Sequence, residues 1–161
     1  MHLQELNHYP EALLSCNTEV LHTLFPQPTL IHLPGKQQAP LFISVLLHGN
    51  ENTGFLALQR LLNKYAGQLL PRAISIFLGN TQAAAKGLRR LEHQPDYNRI
   101  WPNTDLNTCP ETEFSQQIVN IMRDKQVFAS IDIHNNTGLN PHYACINKLE
   151  AEFLQLANLF S

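Results

Sequence analysis

The sequence is short of charge. Only 15% of its 161 residues are Asp, Glu, Lys or Arg, against about 25% in ordinary soluble proteins, and asparagine and glutamine take over much of the polar surface. An excess of either sign is also missing. Lys+Arg 11 against Asp+Glu 13 leaves a formal charge of -2, which excludes the basic footprint of a nucleic-acid binder. No apolar run approaches the roughly 18–20 residues of a membrane-crossing helix. The opening Met-His-Leu-Gln-Glu-Leu has neither the basic nor the apolar region of a secretory signal. Cysteine is scarce and odd in number. Cys16, Cys109 and Cys145 lie far apart and read as reduced thiols in a cytoplasmic protein, not as a disulfide framework. Repeats and low-complexity stretches are absent. What is present, at 43% apolar residues, is the composition of a folded domain. A chain of this length buries roughly 68–70% of its unfolded surface, which excludes intrinsic disorder.

Three apolar runs organise the chain: 41–48, 73–78 and 127–134. Each reads as a strand buried on both faces of a parallel sheet. Thr29–Leu33 reads as a short edge strand ending at the turn signal Pro34-Gly35. Between the runs lies helical spacing. Phe55, Leu58, Leu61, Leu62 and Tyr65 share one face, with Gly67 as the stop; Phe114, Ile118, Ile121 and Met122 line a helix over 113–125. A weak helix opens at Thr81, a loose helical pattern occupies 1–25, and a last one runs from about Leu149 to Phe160. Leu154, Leu156, Leu159 and Phe160 give that last helix an apolar face that needs a partner, a hint of a homo-oligomer. Residues 91–110 are polar, with three prolines and an isolated Trp101, and read as a long ordered loop of the kind that carries function. Strands alternating with helices predict an α/β domain with a largely parallel sheet.

Two of the three strong strands end in histidine, His48 and His134, and open parallel sheets bind ligands beyond the carboxyl ends of their strands. His48 is followed by Gly49-Asn50-Glu51. A glycine there lets the backbone bend sharply, so that Glu51 swings back beside His48. Two neutral imidazoles and one carboxylate form a ligand set for catalytic zinc, with the fourth position left to water, and nitrogen ligands favour zinc over Mg²⁺ or Ca²⁺. With eight histidines in the chain, one at a strand end is unremarkable; the pair plus a glutamate at turn distance makes the case. His2, His8, His22, His32, His93 and His142 have no comparable setting and read as surface or loop residues, His142 being the nearest to an exception. Asp132 lies two residues before His134, on the same side of the strand, where it would accept the N–H of a ligand histidine. Asn98-Arg99 offers a neutral donor and a planar fork for a carboxylate or an oxyanion. Arg89-Arg90 reads either as further positive charge for that pocket or as a solvated helix end. Asn80, at another strand end, faces the same edge on position alone.

Taken together, His48-Gly-Asn-Glu51, Asp96-Tyr-Asn-Arg99 and Asp132-Ile-His134-Asn-Asn-Thr137-Gly138 resemble the zinc carboxypeptidase superfamily. Within it they are most similar to the aspartoacylase and succinylglutamate desuccinylase branch, over about residues 40–140. The resemblance implies a three-layer α/β/α fold with a mainly parallel, mixed sheet. It implies one zinc ion per chain on His48, Glu51 and His134, with Asn98 and Arg99 on the substrate and Asn135 lining the site. It further implies hydrolysis of the amide bond of a small-molecule N-acyl amino acid, without nucleic acid or membrane as partner. The family's general base and acid is a glutamate well beyond the third ligand. Glu150 and Glu152 come too early for it, so no catalytic residue is identified in this chain and that glutamate is expected beyond Ser161. Residues 1–161 therefore read as one incomplete catalytic domain, inactive alone, without the family's β-rich C-terminal domain. The alternatives are a metallocarboxypeptidase acting on peptides and a non-catalytic metal-binding or interaction module.

Overall fold

The computed structural model describes residues 2–136 and 138–160. Its centre is a five-stranded sheet in the order β1-β2-β4-β3-β5, formed by β1 (Gln4–Leu6), β2 (Thr29–Leu33), β3 (Gly35–Val45), β4 (Leu70–Leu78) and β5 (Ala129–Ile133). β1 is parallel to β2, β3 is parallel to both β4 and β5, and β2 alone runs antiparallel to its neighbour β4. The sheet is therefore mixed and mainly parallel, as expected.

Thr29–Leu33 is not an edge strand. It lies between β1 and β4, and Pro34-Gly35 does not turn it back on itself. Instead the chain crosses the backbone of β4, so that β2 and β3 end up on either side. A Cβ on Gly35 would sit 2.1 Å from the carbonyl carbon of Arg72, so only glycine allows that crossing. The expected helical stretch over 1–25 is also replaced. It forms β1, two 3₁₀ turns (Glu11–Leu14 and Thr18–Val20) and one turn of helix, α1 (Leu21–Leu24). Its leucines still serve the core, with Leu13 and Leu21 fully buried.

Helices cover both faces. On one, α2 (Thr53–Lys64) buries Phe55, Leu58 and Leu62 against Ile43, Val45, Ile74 and Ile76. Gly54 brings α2 close, since a Cβ there would lie 2.9 Å from Cβ of Ile133. On the other face, α4 (Pro110–Asp124) packs Phe114, Ile118 and Met122 on Phe42 and Phe77. It starts three residues earlier than expected because Pro110 needs no N–H partner in the first turn and Cys109 N–H donates to Thr112 Oγ1 at 2.9 Å. The 91–110 segment is held down by aromatic contacts. Trp101 stands edge-on to Phe42 and Phe77, and Tyr97 packs against Phe114.

β5 departs from the expected strand buried on both faces. It forms the outer edge of the sheet, with burial alternating along its length: Ala129, Ile131 and Ile133 are partly covered, Ile133 against the α2 side of the core, while Ser130 and Asp132 are exposed. Phe128, just before it, is 61% exposed and stacks on the Arg72 guanidinium at 3.9 Å. The last helix, α5 (Ala151–Ala157), is shorter than expected and leaves Leu154, Leu159 and Phe160 exposed. His32, read from the sequence as a surface or loop residue, is a mostly covered part of the sheet. It bridges the buried Ser75 hydroxyl at 2.9 Å and Glu5 at 3.2 Å.

Burial ranks these aromatics. Phe77→Ala should lose about 3–5 kcal/mol of stability, whereas Phe128→Ala should lose about 1 kcal/mol or less, the worth of an exposed cation–π contact. Urea unfolding of the two variants measures the difference.

Candidate metal centre

The site grows from the paired ends of β3 and β5. Val45 is in register with Ile133, so the residues that follow each leave the sheet side by side. His134 comes directly after β5. His48 comes three residues after β3, beyond Leu46, whose φ of 59° lies in the left-handed region that side chains rarely adopt. The chain bends at Leu46 and then, as expected, turns at Gly49-Asn50, which stand at the centre of the turn from His48 to Glu51. Gly49 is also required for close approach. A Cβ there would lie 2.3 Å from the backbone nitrogen of Ala84, on α3 (Thr81–Ala84). The turn then closes locally, with Glu51 N–H donating to the His48 carbonyl at 3.1 Å.

This turn delivers the Glu51 carboxylate between two imidazoles. Its Oε1 lies 2.8 Å from Nδ1 of His48 and its Oε2 lies 2.8 Å from Nδ1 of His134. The ring centroids are 4.9 Å apart. Asn135 N–H steadies Oε2 at 3.1 Å, and the Glu51 side chain is only 12% exposed. Each outer nitrogen has its own aspartate. His48 Nε2 donates to Asp96 Oδ1 at 2.9 Å and His134 Nε2 to Asp132 Oδ2 at 2.5 Å. Ser44 on the neighbouring strand donates to the other Asp132 oxygen at 2.8 Å. Ionised carboxylates only accept, so these contacts put a proton on both outer nitrogens and turn both Nδ1 atoms inward. The donor atoms of His48, Glu51 and His134 lie within 4.8 Å of one another, the one such group among the described residues.

The remaining site residues fall into place unevenly. Asn135 uses its backbone on Glu51 while its side chain accepts from Thr53 N–H, at the start of α2, at 3.3 Å. Asn98 and Arg99 sit in a 3₁₀ turn (Tyr97–Arg99) next to Asp96. Both are exposed, and neither side chain has a hydrogen-bond partner among the described residues. Thr137 lies outside the described residues. Of the two readings of Arg89-Arg90, Arg89 follows the first and reaches the site. Its guanidinium contacts Asp96 at 3.0 Å and Glu51 at 3.6 Å; Arg90 turns away to the Gln94 carbonyl. Asn80 does not face the site: its side chain caps α3 and donates to Gln94. His142 is exposed and outside the cluster. Sequence reasoning passed over Asp96 as the partner of His48, since nothing local links residues 48 apart in the chain. The available signal was its place two residues before Asn98, whose N–H it accepts as an Asp in a tight turn does.

These groups perturb one another. The hydrogen bond to Asp132 is the main reason the His134 pKa rises to about 9; burial opposes it, and the charges of Asp132 and Glu51 reinforce it. Burial pushes the Asp96 carboxyl upward. The Asn98 N–H, His48 and Arg89 together outweigh it and hold Asp96 at about 2. Three carboxylates, one guanidinium and two imidazoles thus share a small volume that a divalent cation would neutralise. Nitrogen and oxygen donors in this combination suit zinc, and imidazoles whose outer N–H groups rest on carboxylates are arranged as metal ligands usually are.

A carboxylate held between two strand-end histidines, on a mixed sheet layered by helices, defines an α/β protein with a candidate metal centre at its sheet edge. Residues 37–160 match the succinylglutamate desuccinylase/aspartoacylase catalytic domain, and the chain belongs to that family. No curated protein matches the sequence. Among solved structures, succinylglutamate desuccinylase from Vibrio cholerae aligns with a TM-score of 0.57 and 12% identity over 83% of this chain. The Vibrio parahaemolyticus desuccinylase aligns with a TM-score of 0.53 and 16% identity over 68%. Both share the fold. This chain spans 48% and 40% of their respective lengths.

The raised His134 pKa has a consequence for stability. A group whose pKa is higher in the folded state stabilises it fully below its ordinary value of 6.5 and loses that contribution as pH rises through about 9. The metal-free protein should therefore show a falling urea midpoint over this window, and Asp132→Asn should flatten the fall. An equal slope in both proteins would contradict the assignment.

Proposed function

We propose that the protein is a zinc-dependent hydrolase that cleaves the amide bond of an N-acyl amino acid, within one carboxypeptidase-like catalytic domain. The observation that carries this reading is Glu51, lying 2.8 Å from the inward Nδ1 atoms of both His48 and His134. Together these three side chains would hold one zinc ion per chain. Bound there, zinc would supply a Lewis acid that polarises the acyl carbonyl and lowers the pKa of water toward about 7.

The chain's own residues do the rest. Asp96 and Asp132 hold the two rings by their outer nitrogens, leaving both Nδ1 atoms turned toward Glu51, the support that metal-ligating histidines usually have. Arg89 partly offsets the charge of Glu51 and Asp96. Asn98 and Arg99, with unengaged side chains beside Asp96, are the groups offered to the substrate: a guanidinium fork grips a carboxylate through two hydrogen bonds, and a free amino acid carries one. The proton shuttle has no assigned residue here. Glu150 and Glu152 are exposed at the start of α5, with Glu150 beside Lys148 at 3.8 Å. The free cysteines agree with a cytoplasmic setting, and no described helix is long and apolar enough to cross a membrane.

Chelation followed by zinc titration tests the centre. At about a hundredfold excess over Kd, zinc should stabilise the protein by about 2.7 kcal/mol; Glu51→Gln should remove most of that gain, and elemental analysis should find one zinc per chain. Incubating the zinc-loaded full-length gene product with N-acetyl- and N-succinyl-amino acids, beside peptides with free C-termini, tests the reaction. Turnover of the acyl amino acids alone supports the proposal. Cleavage of the peptides points to a metallocarboxypeptidase, and zinc uptake without hydrolysis of either points to a binding module.

A further inference from the structure

Two turns leave the C-terminal edge of the sheet together: Leu46-Leu47-His48 after β3, and Gly79-Asn80 after β4. They are clasped by backbone hydrogen bonds, Gly79 N–H to the Val45 carbonyl at 2.9 Å and Asn80 N–H to the Leu46 carbonyl at 2.7 Å. Leu46 is fully buried in its left-handed conformation. A Cβ on Gly79 would lie 2.6 Å from the Leu46 carbonyl oxygen, so the clasp closes only on glycine.

Asn80 is 1% exposed and every polar group on it is engaged. Its Oδ1 accepts from Ala83 N–H at 2.9 Å, and its Nδ2 donates to Gln94 Oε1 at 2.8 Å. Gln94 is itself buried, and the same oxygen accepts Leu91 N–H at 3.1 Å. Two residues past Gln94 comes Asp96, which takes the Nε2–H of His48. Capping the single turn of α3 needs only an acceptor, which Asp, Ser or Thr would supply equally well. The donor toward Gln94 serves something else.

We propose that Asn80 is a positioning residue of the metal centre, holding His48 from both sides. Its backbone fixes the exit of β3 through Leu46. Its side chain fixes the loop that carries Asp96 through Gln94, so that the ring of His48 stays clamped with Nδ1 toward Glu51. This rests on the reading of His48 as a metal ligand, but the clamp on the ring exists without metal.

The test uses three variants. Asn80→Asp keeps the acceptor for Ala83 and loses the donor. Gln94→Leu breaks the link from its other end without adding charge. Gln94→Glu keeps an acceptor for both Asn80 and Leu91 and is the rescue. In metal-free, ¹⁵N-labelled protein, the Nε2–H resonance of His48 should persist in wild type and Gln94→Glu and be lost to solvent exchange in Asn80→Asp and Gln94→Leu. Zinc affinity, read by competition with a chromophoric chelator, should weaken about 10–100-fold in the latter two, the usual cost of losing an outer-shell partner, and stay near wild type in Gln94→Glu. Melting of each metal-free variant reports on the fold separately; should Asn80→Asp fail to fold, the two Gln94 variants decide. Retention of the His48 resonance and of wild-type zinc affinity in the link-breaking variants would overturn the inference. A wild type that takes up no zinc would instead overturn the metal reading, leaving the resonance to decide the role of Asn80.

Discussion

Glu51 carries its two carboxylate oxygens between imidazoles that arrive from different strands, and this bridge gathers the ends of β3 and β5 at one point. The arrangement concentrates negative charge. Asp96 and Asp132 each lie two hydrogen bonds from Glu51, through the rings of His48 and His134, and the Arg89 guanidinium stands against Glu51 and Asp96. Like charges held this close repel unless cations or protons sit between them. The protein answers with a His134 that holds its proton well above the ordinary range. A metal would replace that proton, which is how metal affinity becomes coupled to pH.

The cluster keeps its shape because little around it can move. Glycines at 49, 54 and 79 let backbones and helices approach to distances that any side chain would forbid, so the turns after β3 and β4 and the start of α2 are mutually wedged. The loop bearing Asp96 is less regular, yet it is held by Trp101 and Tyr97 against Phe42, Phe77 and Phe114, and by Gln94 against the end of β4. Aromatic burial on the α4 face thereby supports a carboxylate at the sheet edge. In contrast, the outer side of β5 and the segment beyond it expose Phe128, Leu139, Leu149 and Leu159.

Much of this could be read from the chain because much of it is local. The spacing of His48 and Glu51 is one turn, and Asp132 shares a side with His134 because side chains alternate along a strand. Helices α2 and α4 follow from apolar spacing. Strand position was another matter. The apolar runs 29–33 and 127–134 have similar composition, yet one is interior and the other is the edge, because neighbours and not residue types decide which backbone is covered. Gly49 signalled the turn that brings Glu51 back to His48, but not its close packing on Ala84, which depends on where α3 lies.

The sequence by itself determined the chemistry available: two strand-end imidazoles, a carboxylate one turn away and an acid two residues before the second histidine, since these depend on backbone periodicity alone. Only the tertiary structure decided that β3 and β5 pair in parallel and in register, bringing His134 onto Glu51. It also decided that Asp96 and Arg89, some forty residues from His48 along the chain, close the site around it. The reason is physical. Pairing and loop docking are set by the summed burial of many distant side chains, and no short stretch of sequence carries that sum.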